Sequence, residues 1–298
     1  MTRALVITNP VAARSRPRTL ETSLAVLRRG GWQLEVVETT GPTDPRRFAE
    51  QALVERYDRI VVHGGDGTLI QAAAAMVGSE VPMGLLPAGT GNVLAGNLGI
   101  PRSPRAAAEV LLRGRLRRID LGRLDRLHGD AYFSVAAGTG ADAIIMGETT
   151  TAMKRTWGVG AYVATTIRVL PSIRSYRHLV TVDGEVMELE ASMVLVANCR
   201  MAIPPVVPLG PDIALDDGLL NVVAVRADGL VDGLRAVWQV MRNPERKDER
   251  LIRYAAGRVV TVSTDAPALV ELDGDVDGLT PFTAEIVPGA IAVMTPLR

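Results

Sequence analysis

The pattern of apolar and polar residues divides the chain into two parts of different character. In the first 120 or so residues, short runs that are almost entirely apolar alternate with segments whose apolar residues recur at helical spacing. Strands that are apolar throughout are typical of a parallel sheet covered by helices on both faces. The predicted strands are 4–8, 33–38, 59–62 and 83–86, and the predicted helices are one bearing Leu20, Leu24 and Leu27, one at 69–77, and segments opening at 44, 92 and 103.

The second part of the chain reads as mainly antiparallel β structure. An Asp-Gly pair at Asp183–Gly184 lies between two alternating runs and predicts a tight hairpin, and a second turn is predicted at 128–130. Helical patterns interrupt the strands at 148–169 and 229–242. Further short strands are predicted at 219–225, 258–263, 268–272, 283–287 and 290–294.

The change of pattern places a domain boundary near residues 121–123, and a length of 298 residues suits one large or two medium domains. We predict an α/β N-terminal domain with a parallel sheet flanked by helices over residues 1–122, with 293–298 packing back on it. The remaining residues, 123–292, are predicted to form a mainly antiparallel β-sandwich.

Composition narrows the classes of function. With 33 basic and 33 acidic residues, nothing indicates nucleic-acid binding. Cys199 is the only cysteine, so an intramolecular disulfide is excluded, which suits a reducing compartment. No segment has the length of apolar sequence that a signal peptide or a membrane-spanning helix needs. We expect a cytoplasmic protein, for which peripheral contact with the inner membrane surface stays open.

Two glycine-rich turns carry the candidate chemistry. Gly64-Gly65-Asp66-Gly67-Thr68 follows the third predicted strand, and Pro87 to Asn92 follows the fourth. Ligands of an open α/β sheet bind at the carboxyl ends of its strands. Glycines let backbone N–H groups converge on an anion, and each turn opens a helix whose N-terminus favours phosphate. The turns therefore predict a nucleotide site, in which Asp66 would hold a metal ion, a water or a nucleotide hydroxyl.

A simpler interpretation is that Asp66 and Asn92 are helix N-caps and the glycines merely permit tight turns. The kind of nucleotide site is narrowed by what is missing: there is no Gly-Lys-Ser/Thr of a P-loop and no protein-kinase catalytic loop. The stretch GTGADA at 138–143 formally matches a dinucleotide fingerprint, but it follows a predicted antiparallel hairpin, which disfavours hydride chemistry.

Longer stretches resemble a known family. NPVAA, HGGDGTL, GLLPAGTGNVLAGNLGIP, LDDGLLNVVAV and ELDGD are similar to signatures of the diacylglycerol-kinase-like lipid kinases, and the similarity covers nearly the whole chain. The resemblance implies a two-domain kinase with ATP in a cleft between the domains. It also implies, as ATP contacts, Asn9, Pro10, Val11, Ala12, Ala13, Thr39 (or Thr40), Gly64, Gly65, Asp66, Gly67, Thr68, Gly89, Thr90 and Asn92.

The resemblance also implies the catalytic and metal residues. The family's Asp-Gly-Glu, whose Glu is the base, corresponds to Asp273-Gly274-Asp275 here, one methylene (about 1.5 Å) shorter. Asp275 is the implied base, which Asp277 could assist, while Asp273 and Asp66 would organise water and metal. A structural Mg²⁺ would take the Asp217 side chain and the carbonyls of Ala214 and Leu219. From the residues alone, the first motif is equally an acidic hairpin turn and the second a plain turn.

The substrate expected from the resemblance is a lipid met at a membrane surface. Residues 153–171 are either helical core or a flap that admits lipid, and 113–118 are either a solvated helix end or a contact with anionic headgroups. Two other functions stay open, an NAD kinase sharing GGDGT and a non-catalytic nucleotide or lipid sensor. The oligomeric state is also open, a homodimer being one alternative.

Overall fold

The computed structural model describes residues 1–125, 130–140, 174–203, 207–210, 212–229, 231–232, 235 and 252–297. It divides the chain into two compact units. The first unit comprises Met1–Asp120 together with Gly289–Arg298, and the second unit comprises Leu121–Pro288.

The first unit is built on a parallel sheet with helices, as the alternation of apolar runs and helical segments predicts. The strands are β1 Arg3–Thr8, β2 Gln33–Glu38, β3 Arg59–Gly64 and β4 Met83–Pro87, and the helices are α1 Pro17–Arg29, α2 Asp44–Val54, α3 Asp66–Met76, α4 Val93–Asn97 and α5 Pro104–Arg113. The strand order is β2-β1-β3-β4, helix α1 packs against α5, and α2 packs against α3.

Local sequence explains these elements. Helix α1 begins at Pro17, where the missing N–H costs nothing, and buries Leu24 and Leu27 before it ends at Gly30. Helix α3 begins at Asp66, three residues before the predicted start at 69, so the helix includes residues expected in the loop. Its first turn is polar and glycine-containing, and therefore carries no apolar periodicity from which its start could be recognised.

Two strands contribute to both units. Strand β5 spans Arg115–Leu124 and strand β18 spans Phe282–Thr295. Residues 283–287 and 290–294, predicted as separate strands, belong to this single strand β18, although Pro288 and Gly289 separate them. Within this strand, the N–H of Gly289 donates to Asp120 Oδ1 at 2.7 Å. In the first unit, Val293 pairs in parallel with Met83 of β4.

The second unit is an antiparallel β-sandwich, which confirms the predicted fold class. One of its sheets has the order β14-β13-β10-β7-β16-β17, and the other includes the path β18-β15-β8-β9. Side chains from both sheets, among them Phe133, Val194 and Val260, form one buried core. The strands are β6 Ala131–Phe133, β7 Ala136–Gly140, β8 Tyr176–Val182, β9 Glu185–Ala191, β10 Met193–Ala197, β11 Met201–Ile203, β12 Val207–Pro208, β13 Leu220–Val225, β14 Ile252–Gly257, β15 Val259–Thr264, β16 Leu269–Leu272 and β17 Asp275–Leu279.

The predicted Asp-Gly hairpin is confirmed. Strands β8 and β9 pair directly, and Asp183 and Gly184 between them both have positive φ, 49° and 91°. These values are those of the type I′ turn that Asp-Gly favours. The expected helix at 148–169 and the segment 153–171 lie outside the described residues, as do most of 229–242 and of the 128–130 turn.

Candidate functional site

The two glycine turns of the first unit lie against each other at the carboxyl ends of β3 and β4. The N–H of Ala88 donates to the carbonyl of Gly64 at 2.8 Å, which extends the pairing of these strands into the turns. A Cβ on Gly65 would lie 3.2 Å from the Cα of Gly89, and a Cβ on Gly89 would lie 2.6 Å from the Cα of Gly65. Only glycine permits this approach at position 89, because a real Cβ does not come so close to backbone.

Asp66 connects the first turn to the helix that follows the second. It is the first residue of α3, and its Oδ1 accepts the N–H of Leu94, in the first turn of α4, at 3.3 Å. Burial raises the pKa of Asp66, and hydrogen bonds from the backbone at 92–94 oppose this effect. The carboxylate therefore caps α4, the neighbouring helix, instead of the helix on which it stands.

Asn92 holds the second turn closed. It lies in the left-handed region with φ 49°, which asparagine tolerates better than most residues. Its Oδ1 accepts the N–H of Gly89 at 2.8 Å, and its Nδ2 donates to the Gly89 carbonyl at 2.8 Å. Asn92 thus precedes α4 as an N-cap residue, but its side chain fixes Gly89. Thr90 and Gly91 form the part of the turn between them.

The turn after β1 joins the same cluster. The Nδ2 of Asn9 donates to the hydroxyl of Thr68 at 2.9 Å, and the Asn9 N–H donates to the His63 carbonyl at 2.9 Å. Pro10, Val11, Ala12 and Ala13 follow, with Val11 exposed. The turn after β1 and the two glycine-rich turns are therefore in contact within one unit, and α3 and α4 both begin there.

The threonines after β2 lie next to this cluster. Thr39 is buried and its N–H donates to the carbonyl of Thr8, the residue before Asn9, at 2.9 Å. The hydroxyl of Thr40 instead donates to Asp44 Oδ2 at 2.9 Å. This and the other hydrogen bonds to Asp44, the strongest from the Thr40 backbone, hold the pKa of that carboxyl well below its usual range. The hydroxyl of Thr40 is thus already hydrogen-bonded to Asp44, so Thr39 is the better match to the ATP contact predicted at Thr39 or Thr40.

In the second unit, Asp273 has a structural role. Asp273 and Gly274 form the turn between β16 and β17, with φ 48° and 92°. One carboxylate oxygen accepts the N–H and the hydroxyl of Ser134, at 2.8 and 2.9 Å, and the other accepts the N–H groups of Val135 and Ala136, at 2.8 and 3.1 Å. Burial raises the pKa of Asp273 to about 6, against the effect of these hydrogen bonds. With both oxygens engaged, this arrangement does not favour the predicted role in orienting water and metal.

The hairpin at Asp183 repeats this arrangement. Asp183 Oδ1 accepts the N–H groups of Arg258 and Val259, both at 2.9 Å. The turns at Asp183 and Asp273 thus both use their aspartate to hold a bend between two other strands. The repetition indicates a structural device that the β-sandwich uses twice.

Asp275 differs from Asp273 in being exposed. It is the first residue of β17, an edge strand that pairs with β16, and it lies opposite Leu272. Nearby, Glu271 is buried at 3% exposure, and its Oε2 accepts the N–H of Gly274. Of the carboxylates around this turn, Asp275 has the exposure that a base acting on a substrate needs.

The three residues predicted to hold Mg²⁺ belong to one exposed turn. Asp217 accepts the N–H of Ala214 at 3.3 Å and that of Leu219 at 3.0 Å. Both oxygens of the Asp217 carboxylate thus accept backbone N–H groups, and Mg²⁺ binding by this carboxylate with the carbonyls of Ala214 and Leu219 stays a prediction. Within the described ranges, no group of three or more His, Cys, Asp and Glu side chains is placed to hold a metal ion.

Comparison with protein families identifies both units. Residues 3–124 match the diacylglycerol kinase catalytic domain, and residues 134–295 match the YegS C-terminal NAD kinase beta sandwich-like domain. No helix in the described part of the chain has the length and apolar character needed to cross a membrane.

Curated relatives agree with these matches. A diacylglycerol kinase of Bacillus subtilis is 28% identical over 285 residues, which cover 94% of this chain and 92% of that protein. A diacylglycerol kinase of Mycobacterium tuberculosis is 28% identical over 298 residues, covering 97% and 94%. An uncharacterized protein of Synechocystis is 28% identical over 84% of this chain, and the match spans only 57% of that longer relative.

Solved structures support the fold. A diacylglycerol kinase from Bacillus anthracis superposes with a TM-score of 0.77 at 20% identity, covering 98% of this chain and 96% of that one. Another chain from that organism reaches a TM-score of 0.83 at 23% identity. The fold is thus that of an α/β domain with a β-sandwich, shared with such kinases. The chain belongs to the diacylglycerol kinase catalytic-domain family, and membership of a kinase family implies ATP as a substrate.

The arrangement around Asp273 predicts a stability effect. Asp273→Asn replaces an acceptor oxygen with an N–H₂ group that faces backbone donors, so we expect the free energy of unfolding to fall by about 1–3 kcal/mol. Asp183→Asn is the matched variant and should lose a similar amount. Urea denaturation of both variants measures this. If Asp183→Asn is destabilised and Asp273→Asn is as stable as wild type, the structural role of Asp273 is wrong.

Proposed function

We propose that the protein is an ATP-dependent lipid kinase that transfers the γ-phosphoryl group to a lipid hydroxyl. The acceptor class is diacylglycerol or a related glycerolipid or sphingoid alcohol. The observation that carries the proposal is the contact between two side-chain-poor turns that open α3 and α4. Family membership and the names of the curated relatives support the choice of a lipid over NAD.

The phosphates of ATP are proposed to bind to the turn cluster. The N-terminus of α3 comes directly after β3, at the carboxyl edge of the sheet, where a helix end favours negative charge. Gly67 is exposed in the first turn of α3, and a Cβ built on it meets no atom within 4 Å. This open space beside N–H groups is the place we assign to phosphate, with Asn9 to Ala13, Thr39 and Thr90 as further contacts.

Asp275 is proposed as the general base. A base must reach the proton of the attacking hydroxyl, and Asp275 is the exposed carboxylate of the motif. Its side chain is about 1.5 Å shorter than the family's glutamate, so the acceptor hydroxyl must approach β17 correspondingly closer. The location of ATP in a cleft between the domains stays a prediction.

Mg²⁺ is proposed in two places. One ion would accompany ATP near Asp66 and neutralise charge on the phosphates when bound. Asp66 already accepts backbone N–H groups at the start of α4 and is proposed in addition to organise this ion. The other ion is structural and would be held by Asp217 with the carbonyls of Ala214 and Leu219, where it would stiffen the turn before β13.

The lipid is proposed to be met at a membrane surface by peripheral contact, which for a cytoplasmic protein is the inner leaflet. A homodimer, and the roles of 113–118 and 153–171 in lipid contact, stay predictions; the second segment lies outside the described residues.

Gly67→Ala separates binding of nucleotide from stability of the fold. The added Cβ meets no protein atom, and alanine is up to about 1 kcal/mol more favourable than glycine within a helix, so the melting temperature should not fall. The same Cβ would occupy space assigned to phosphate, so we expect the Kd for ATP to rise at least about tenfold.

Calorimetric titration with Mg-ATP and thermal unfolding provide the two measurements. Gln71→Ala, on the exposed side of the same helix, is the control and should change neither. If the Kd for ATP is unchanged in Gly67→Ala, the phosphates of ATP do not bind at this turn.

Asp275→Asn tests the base. We expect kcat with a lipid acceptor to fall by about 10²–10⁴ while the Kd for ATP stays the same, because the amide cannot take the proton. Asp275→Glu should remain active. The assay measures transfer of labelled phosphate from ATP to a panel of lipids, with NAD as a parallel acceptor.

Asp277→Asn, on the same strand, is the matched comparison for Asp275→Asn. If Asp277→Asn loses activity and Asp275→Asn keeps full activity, Asp277 is the general base. If NAD is labelled and no lipid is, the protein is an NAD kinase and the lipid-kinase proposal is wrong.

A further inference from the structure

A cavity of about 140 Å³ lies within the first unit, beside α1 and α5. It is distinct from the open space at Gly67, which lies in the first turn of α3. Of the residues proposed to contact ATP, only Asn92 is among those that line this cavity. No acidic side chain is among its lining residues, which include Arg14, Thr19, Ser23, His63, Asn92 and Arg102.

Three of these six polar side chains already form hydrogen bonds within the protein. The hydroxyl of Ser23 donates to the carbonyl of Pro104 at 3.0 Å, and that of Thr19 donates to the carbonyl of Arg16 at 2.7 Å. Both polar atoms of the Asn92 amide are bonded to Gly89. These groups shape the wall but have little left to offer a ligand.

The other three side chains, those of Arg14, Arg102 and His63, keep hydrogen-bonding capacity that the described part of the protein does not use. Arg14 is exposed and forms no ion pair or side-chain hydrogen bond with the described part of the chain. Arg102 makes one long contact, 3.4 Å from its Nη2 to the carbonyl of Gly91, and no carboxylate among the described residues pairs with it. Because both arginines are exposed, solvent reaches the cavity alongside them.

His63 is the buried member of this set, with 3% exposure. Its Nδ1 lies 2.9 Å from the hydroxyl of Thr8, and its Nε2 has no hydrogen-bond partner among the residues that the structure describes. Burial lowers the pKa of His63 to about 4, so the ring is neutral at physiological pH. When the Thr8 hydroxyl donates to Nδ1, the proton of the ring is on Nε2, which is then a donor.

The start of α1 adds to the positive potential. The helix begins at Pro17, next to the cavity residues Arg14 and Thr19, and its first turn contains no acidic residue. A helix N-terminus normally attracts acidic side chains, and here Arg16 and Arg18 stand in their place. The start of α1 therefore adds positive potential beside the cavity.

We propose that this cavity binds a phosphate group, held by Arg14 and Arg102 with the unpartnered Nε2 of His63 at its buried wall. Two arginines match the charge of a phosphate dianion, and their planar donor groups suit its oxygens. The volume accommodates a phosphate with a small substituent, so the group belongs either to free phosphate or to the headgroup of an anionic lipid. The site does not rest on the proposed kinase function.

The first test is stabilisation by inorganic phosphate, because a ligand that binds the folded state raises the melting temperature. Thermal unfolding of the full chain is followed in phosphate and in chloride at equal ionic strength. We expect a saturable rise in wild type, and a Kd for phosphate at least about tenfold weaker in Arg14→Ala and Arg102→Ala. The control is Arg105→Ala on the same helix as the cavity wall, since Arg105 pairs with Glu109 and should leave the effect intact.

The measurement is repeated in Gly67→Ala, in which phosphate binding at the ATP turn is weakened but the cavity is unaltered. A phosphate effect that disappears in Gly67→Ala and persists in Arg102→Ala would assign it to the turn and overturn the cavity site. Equal loss in Arg105→Ala would show nonspecific charge screening and would also overturn it.

The second arm separates the two sources of phosphate. Co-sedimentation compares vesicles of phosphatidylcholine with and without phosphatidic acid. Binding that requires phosphatidic acid and is lost in Arg14→Ala and Arg102→Ala, without an effect of inorganic phosphate, identifies a lipid headgroup. Saturable stabilisation by inorganic phosphate with the same dependence identifies the free ion. If neither probe distinguishes these variants from wild type, the proposal is wrong.

Discussion

The contact between the backbones of Gly65 and Gly89 is the constraint on which the candidate site depends. At these two positions the turns after β3 and β4 come so close that a side chain at residue 89 would overlap the backbone of residue 65. The approach places the start of α3 beside the start of α4. Asp66 then caps α4 across the gap, and Asn92 closes the second turn on Gly89. Two anion-attracting helix ends become neighbours in this way.

In the structure Asp66, the aspartate of the GGDGT stretch, has a role different from the one that the sequence favours. The sequence favours a metal, water or nucleotide hydroxyl as its partner, with an N-cap as the simpler alternative. In the structure it is a cap, but of the other helix, and burial raises its pKa. Its hydrogen bonds join the two turns even before any ligand binds. Loss of Asp66 would therefore affect the shape of the site together with its chemistry.

Much of the fold follows from the sequence, because each level of pattern agrees with the next. Apolar runs such as β1 and β3, the helical face of α1 and the Asp183–Gly184 turn are each recognisable alone. The start of α3 is not, since a polar, glycine-containing first turn has no periodicity. The continuity of β18 through Pro288 and Gly289 is not recognisable either, because it is accompanied by long-range contacts such as the hydrogen bond from Gly289 to Asp120, which is 169 residues away.

The site was predictable where it consists of contiguous residues and unpredictable where it consists of long-range pairs. The glycine turns and Asn9 stand out from their local sequence. The capping of α4 by Asp66, the use of Asp273 to hold Ser134 to Ala136, and the cavity shared by His63, Arg14 and Arg102 each join distant segments. Asp273 is instructive, because an Asp-Gly pair signals a turn, and the structural use of its carboxylate has a parallel at Asp183.

The most direct measurement of the central claim is a crystal structure of the chain with a non-hydrolysable ATP analogue and Mg²⁺. The phosphates are predicted to accept hydrogen bonds from backbone N–H groups at 65–68 and 90–91, with Gly65 and Gly89 still in contact. A nucleotide bound elsewhere, with this pair of turns unliganded, would contradict the role assigned to them.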